Sequence, residues 1–162
     1  MSKQREFIER LRKEEFGIGA DLVGDARTIV DNLTRKYRNL LATVAEDLNS
    51  KESHFILELI QNADDNHYHE GVAPSLSFQL EHDRLVVINN ESGFADINVK
   101  ALCSAGEISK KNKKGYIGEK GIGFKSIFKV TDTPEIHSNG FHFKFNRTDP
   151  KDLLGYVVPH CH

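Results

Sequence analysis

The sequence predicts an α/β (α+β) fold, with a helical first part followed by antiparallel hairpins. Two patterns carry this. Apolar residues recur every three or four positions through much of residues 3–67. After Pro74 they alternate instead with polar residues in short runs bounded by turn formers. Composition agrees: 162 residues, 38% apolar and 28% charged, suit one domain with a real core and neither a disordered nor a membrane-like chain.

Each element can be read in order. Residues 3–15 set Phe7, Ile8 and Leu11 among charges, as in a short amphipathic helix, and Gly17 and Gly19 end it. From Asp25 to Asn49 a longer helix is expected, with Val30, Leu33, Tyr37, Leu40, Leu41, Val44 and Leu48 recurring along one side. Ser50 then stands as N-cap of a third helix reaching His67. Leu76, Phe78 and Leu80 alternate, His82-Asp83 turns, and Leu85-Val86-Val87-Ile88 returns, so this is a hairpin whose second strand is the more buried. A short helix over Ile97 to Cys103 precedes a lysine-rich loop and a glycine run, after which Phe124 to Val130 opens another helix. Asn139-Gly140 joins Glu135-Ile136-His137 to Phe141–Phe145, the strongest short-range hairpin signal in the chain. Gly155-Tyr156-Val157-Val158 reads as a last strand.

Charge excludes some partners. The 22 basic and 24 acidic residues leave a formal net charge of −2, which gives no general case for nucleic-acid binding. No apolar run approaches the roughly 20 residues that cross a bilayer, so no membrane partner is expected. Met1-Ser2-Lys3-Gln4-Arg5-Glu6 is charged and lacks the apolar region of a secretory signal. Cys103 and Cys161 make no disulfide framework, which favours a reducing compartment, cytoplasmic or nuclear, with Cys103 as a core thiol.

Gly118-Glu119-Lys120-Gly121-Ile122-Gly123-Phe124-Lys125-Ser126 is the most informative run. Its spacing, G-x-x-G-x-G, lets the backbone turn sharply and present bare N–H groups to an anion. A helix start directly after it adds unpaired donors and partial positive charge, so phosphate is the natural ligand. A P-loop is excluded, because Phe124 separates Gly123 from Lys125-Ser126 and a charged loop stands where its strand should be. The protein-kinase loop has the reverse spacing. A second constellation lies in Glu58-Leu59-Ile60-Gln61-Asn62-Ala63-Asp64-Asp65. Glu58, Asn62 and Asp65 share one helix face, and Ile56, Leu59, Ile60 and Ala63 form the adjacent apolar stripe. That face could be plain solvated surface. Its content, two carboxylates and an amide without a lysine, instead suits proton abstraction from water and a hard cation such as Mg²⁺.

These motifs, together with Val87-Ile88-Asn89-Asn90-Glu91-Ser92-Gly93-Phe94 between them, resemble the GHKL, or Bergerat-fold, ATPases. That family includes the large heat-shock chaperone, the type II topoisomerase ATPase subunit and the sensor histidine kinases. The wording is most similar to the branch containing sacsin and the plant protein NO VEIN, and the likeness runs from about Ala45 to Pro159. The resemblance implies a two-layer sandwich, with helices on one face of a mixed, mostly antiparallel sheet. It implies an N-terminal helical extension over residues 1–24 and an ATP-binding domain over 25–162, cut short at its C-terminal end. Glu58 matches the water-activating glutamate, Asn62 the Mg²⁺ ligand, and Asp65 a supporting acidic position. Gly118, Lys120, Gly121, Ile122, Gly123, Phe124 and Lys125 would line the phosphates, and Lys110 to Tyr116 would belong to a mobile lid. In the middle motif Asn89 takes the place of the family's adenine-reading aspartate, Glu91 that of its first glycine, and Gly93 keeps the second. Asn89 or Asn90 could read adenine, because an amide both accepts and donates.

The function implied is binding of ATP or ADP with Mg²⁺, and slow ATP hydrolysis that closes the lid within a larger protein whose client is unknown. The alternative is a nucleotide-dependent interaction module without meaningful turnover; Glu58 favours the ATPase. A chaperone role rests on fold analogy alone. Histidines add little. His67 and His69 read as exposed helix-end residues, and no dimerisation helix accompanies His54 as a histidine kinase would need. Adjacent His160, Cys161 and His162 lack a zinc-spaced partner pair.

Overall fold

The computed structural model describes residues 1–47, 54–104, 123–149 and 154–162. Within them lie α1 (Lys3–Phe16), α2 (Gly24–Asp47), α3 (His54–Asp65), β1 (Leu76–Leu80), β2 (Leu85–Asn89), α4 (Asp96–Cys103), a 3₁₀ segment (Gly123–Lys129), β3 (Glu135–Ser138), β4 (Phe141–Lys144) and β5 (His160–Cys161). The chain is thus mixed α and β, as its periodicities predict.

Helix α1 is bounded by its own sequence signals. The Ser2 hydroxyl accepts from the Arg5 N–H, and Gly17 at φ +68° returns its N–H to the carbonyls of Arg12 and Lys13. Its apolar face, Phe7, Ile8 and Leu11, is buried. Helix α2 matches the expected span but not the expected burial. Leu41 is buried and Val30 and Tyr37 are half-buried, whereas Leu33 and Leu40 are exposed. Ser50 lies outside the described residues, and α3 stops at Asp65, two positions short of the expected His67. On α3, Phe55 and Ala63 turn inward, while Ile60, assigned to the packing stripe from spacing, is exposed.

The strands form two antiparallel sheets among the described residues. β1 and β2 pair from Leu76↔Asn89 to Leu80↔Leu85. β2 is the more buried strand, although Leu85 and Ile88 stay exposed. β3, β4 and β5 form the second sheet in that order. Its first turn is built by Asn139 at φ +48° and Gly140 at φ +79°, the left-handed pair that a two-residue hairpin requires.

Two sequence expectations are corrected. The segment after the glycine run is a 3₁₀ segment and not an α-helix; a three-residue repeat puts Lys125 and Phe128 on one buried side. Gly155–Val158 is a turn. The N–H groups of Val157 and Val158 both reach the Leu154 carbonyl, at 2.8 and 2.9 Å, and the strand begins only beyond Pro159, at His160. A fully buried turn and a fully buried strand share the same apolar composition, so spacing could not separate them.

The main core joins α1, α4, Phe128 and β4 through Phe7, Ile8, Leu11, Val99, Cys103, Phe141, Phe143 and Phe145. A smaller cluster packs Leu41 of α2 on Leu154, Val157 and Val158.

Candidate functional site at the junction of α3 and the 3₁₀ segment

Helix α3 lies against the 3₁₀ segment, and the contact is made by a carboxylate and a glycine. A Cβ built on Gly123 would stand 2.0 Å from Glu58 Oε2, far inside van der Waals contact. Glycine therefore lets the carboxylate rest on this backbone, where a side chain would push the flexible end of Glu58 aside. The other oxygen, Glu58 Oε1, lies 3.6 Å from His54 Nδ1 one turn earlier. Asn62 and Asp65 follow on the same face, half-buried like Glu58. No side chain among the described residues hydrogen-bonds Asn62, so its amide is available to a ligand. The structure thus brings Glu58 and Gly123 together, with Asn62 and Asp65 further along the same helix. Lys110, Gly118, Lys120, Gly121 and Ile122 lie outside the described residues, as does the expected lid over 110–116.

Phe124 and Lys125 turn into the protein. Phe124 packs on the main core, its ring 6.1 Å from that of Phe145. The Lys125 ammonium is buried, donates to the Leu102 carbonyl and sits 5.0 Å from the centre of the Phe145 ring. Leu102 is in the last turn of α4, where carbonyls lack helical partners and the helix end is partly negative, so a cation is well placed. Burial nevertheless holds the Lys125 pKa down to about 8, against a smaller opposing pull from the Cys103 thiol. Cys103 is a core thiol, as expected; burial raises its pKa to about 12. Lys125 therefore clamps the 3₁₀ segment to α4 with its charge directed inward.

The loop after β2 is organised by its asparagines. Asn89 Oδ1 accepts the Glu91 N–H at 2.9 Å and faces the Tyr68 hydroxyl at 3.1 Å; that hydroxyl also lies 2.6 Å from the Ala63 carbonyl. Tyr68 so links the end of α3 to the end of β2, tying the first motif to the second. Asn90 is committed at both ends, accepting from the Ser75 N–H and donating to the Ala73 carbonyl. Gly93, at φ +89°, has no room for a side chain, since a Cβ would lie 2.8 Å from Asn139 Cβ. Phe94 completes this docking, donating its N–H to Ser138 Oγ and accepting from Asn139 Nδ2. The sequence offered no sign of Tyr68, and Asn139 was legible only as a turn residue. His67 and His69 are exposed just beyond α3, as expected.

Comparison with known proteins gives the family of the chain. The pattern defining the Sacsin domain matches residues 45–154, and the chain belongs to that family. It is 47% identical over 152 residues to Protein NO VEIN of Arabidopsis thaliana, covering 94% of this chain but 6% of that protein. To human Sacsin it is 29% identical over 104 residues, covering 63% of this chain and 2% of that protein. The chain thus spans only a small fraction of either relative. No solved structure matches it. Among the described residues no helix is long and apolar enough to cross a membrane.

Proposed function

We propose that this chain binds ATP with Mg²⁺ through a Bergerat-type site and hydrolyses it slowly, closing a lid within a longer protein. The observation that carries the reading is the seating of Glu58 on Gly123. A carboxylate that can take a proton from water meets the last glycine of the G-x-x-G-x-G run, at a point where a Cβ would displace it. Asn62, one turn further along α3 with an uncommitted amide, supplies the neutral oxygen donor that Mg²⁺ accepts. The fit is therefore good on this chain's own residues. Mg²⁺, when bound, would neutralise charge on the phosphate oxygens.

For the base, the geometry favours Asn89 over Asn90. Both polar ends of Asn90 are spent on the 73–75 segment, whereas Asn89 uses only its oxygen and keeps Nδ2 to donate to a ring nitrogen. Lys125, with its ammonium under the aromatic rings, contributes by holding the 3₁₀ segment and makes no direct phosphate contact in this reading. The mixed sheet with helices on one face, and the cytoplasmic or nuclear setting, belong to the same proposal. A calorimetric titration with ATP, ADP and GTP, with and without Mg²⁺, tests it. ATP and ADP should bind, GTP more weakly, and Mg²⁺ should tighten ATP. No heat from any nucleotide would overturn the proposal.

A further inference from the structure

The solvent face of the β3–β4–β5 sheet carries a second cluster that nucleotide handling does not use. Alternation along the strands puts Glu135, His137, His142 and Lys144 on the face opposite the buried Phe141 and Phe143. His137 pairs directly with His142, and the His162 N–H donates to the His142 carbonyl at 3.2 Å. Three imidazoles so stand in one row across the sheet, with Glu135 beside them.

The geometry points to a divalent transition-metal site, Zn²⁺ above all, built from Glu135, His137 and His162. One ligand atom from each lies within 4.8 Å of the other two, and His162 Nε2 is already 3.5 Å and His137 Nε2 3.9 Å from the Glu135 carboxylate. Donors 2.0–2.1 Å from a tetrahedral Zn²⁺ are about 3.3 Å apart, so rotation of exposed side chains closes the difference. A fourth position is left for water or another ligand. His137 Nδ1 and His142 Nδ1 are 2.9 Å apart, so between neutral rings one donates to the other. With the proton on His137 Nδ1, its Nε2 lone pair is free for the metal, and His142 takes the orienting acceptor role that a carboxylate or carbonyl more often fills.

Charge selects the kind of ion. Lys144 lies opposite Glu135, Arg84 acts on Glu135, and Arg5 donates to the His162 carbonyl, so this face does not concentrate cations by field alone. Hard ions such as Mg²⁺ and Ca²⁺, which need several anionic or carbonyl oxygens, are disfavoured; imidazole-seeking Zn²⁺ is not. Spacing along the sequence hid the site, since His162 finds its partners on a strand more than twenty residues earlier rather than at His160 or Cys161.

The test is competition for Zn²⁺ between the chain and a chromophoric chelator at neutral pH. Wild type should take up one equivalent. The double variant His137→Ala/His162→Ala should lose at least about tenfold in affinity while keeping its far-ultraviolet circular dichroism, because both side chains are exposed. His142→Ala, which removes no ligand, should weaken binding about 10- to 100-fold. His67→Ala/His69→Ala should change nothing. Failure of wild type to compete, or equal affinity in the His137/His162 variant, overturns the site; an unaffected His142→Ala overturns the orientation assigned to His137. Nucleotide binding plays no part in either readout.

Discussion

Glu58 and Gly123 depend on each other for space, and that makes their substitutions separable. In the ATPase reading, Glu58→Ala leaves ATP affinity near wild type, because a base acts on the transition state more than on the bound substrate. Turnover of a longer chain should fall about 10²- to 10⁴-fold. Unchanged slow turnover would assign the activity elsewhere, and tight ATP binding with no turnover in the parent chain would favour the binding module. Gly123→Val puts a branched side chain where the proposed phosphate would meet bare backbone, so binding itself should be lost. Lys125 and Cys103 make a different prediction, about pH. The Lys125 pKa is lowered to about 8 in the fold, so the unfolded chain binds the extra proton between there and its ordinary value of 10.5, and stability rises with pH across that window. Cys103 works the other way: its pKa is raised from 9.0 to about 12, so the unfolded chain gives up the proton first and stability falls above pH 9. Urea unfolding should show a gain from about pH 7.5 to 9 that flattens above it. Lys125→Met should abolish the gain and leave only the fall above pH 9.

At the scale of elements, the sheet around β4 decides stability. Phe143 is fully buried between strand and core, 5.7 Å from the Phe145 ring, and Phe143→Ala should cost about 3–5 kcal/mol in urea unfolding. Asn139→Ala loses a left-handed turn residue and the bond that docks the Gly93 loop, and should cost about 1–2 kcal/mol. The contrast between elements also explains what the sequence could reveal. Helix α1 and the Asn139-Gly140 hairpin were legible because their signals are local: the spacing of Phe7, Ile8 and Leu11, a Gly17 stop and a turn dipeptide. The burial of α2 was not, because spacing identifies a helix and its apolar side but not whether anything covers that side; Leu33 and Leu40 satisfy the period and remain exposed. The turn at 155–158 was hidden because Val157 and Val158 are apolar for reasons of burial alone. The site divides in the same way. Glu58, Asn62 and Asp65 share a face by helical geometry, but the meeting of Glu58 with Gly123 spans a long stretch of chain and was suggested only by resemblance. The inward turn of Lys125 had no sequence sign at all.

For the whole molecule, nucleotide binding should appear as stability. Among the described residues the two core clusters do not include α3, and Leu57 and Ile60 on that helix are exposed, so its contact with the 3₁₀ segment is a main support of the helix bearing Glu58 and Asn62, beside the buried Phe55 and Ala63. A ligand bridging the two would fasten them together and shift the folding equilibrium by mass action. At a free concentration of about 100 times Kd the stabilisation is about 2.7 kcal/mol. In a chain of this size that corresponds to a rise in Tm of about 5–11 °C. ATP with Mg²⁺ should give the full rise, and ATP with EDTA a smaller one. Asn62→Ala should remove the Mg²⁺-dependent part and keep the rest, since it deletes the proposed metal ligand and leaves Asn89 and Gly123 in place. Equal losses with and without Mg²⁺ would make Asn62 a structural residue. A Tm indifferent to ATP in the parent chain, at concentrations that saturate a millimolar site, would remove the nucleotide from the picture and leave Glu58 and Gly123 as a packing contact.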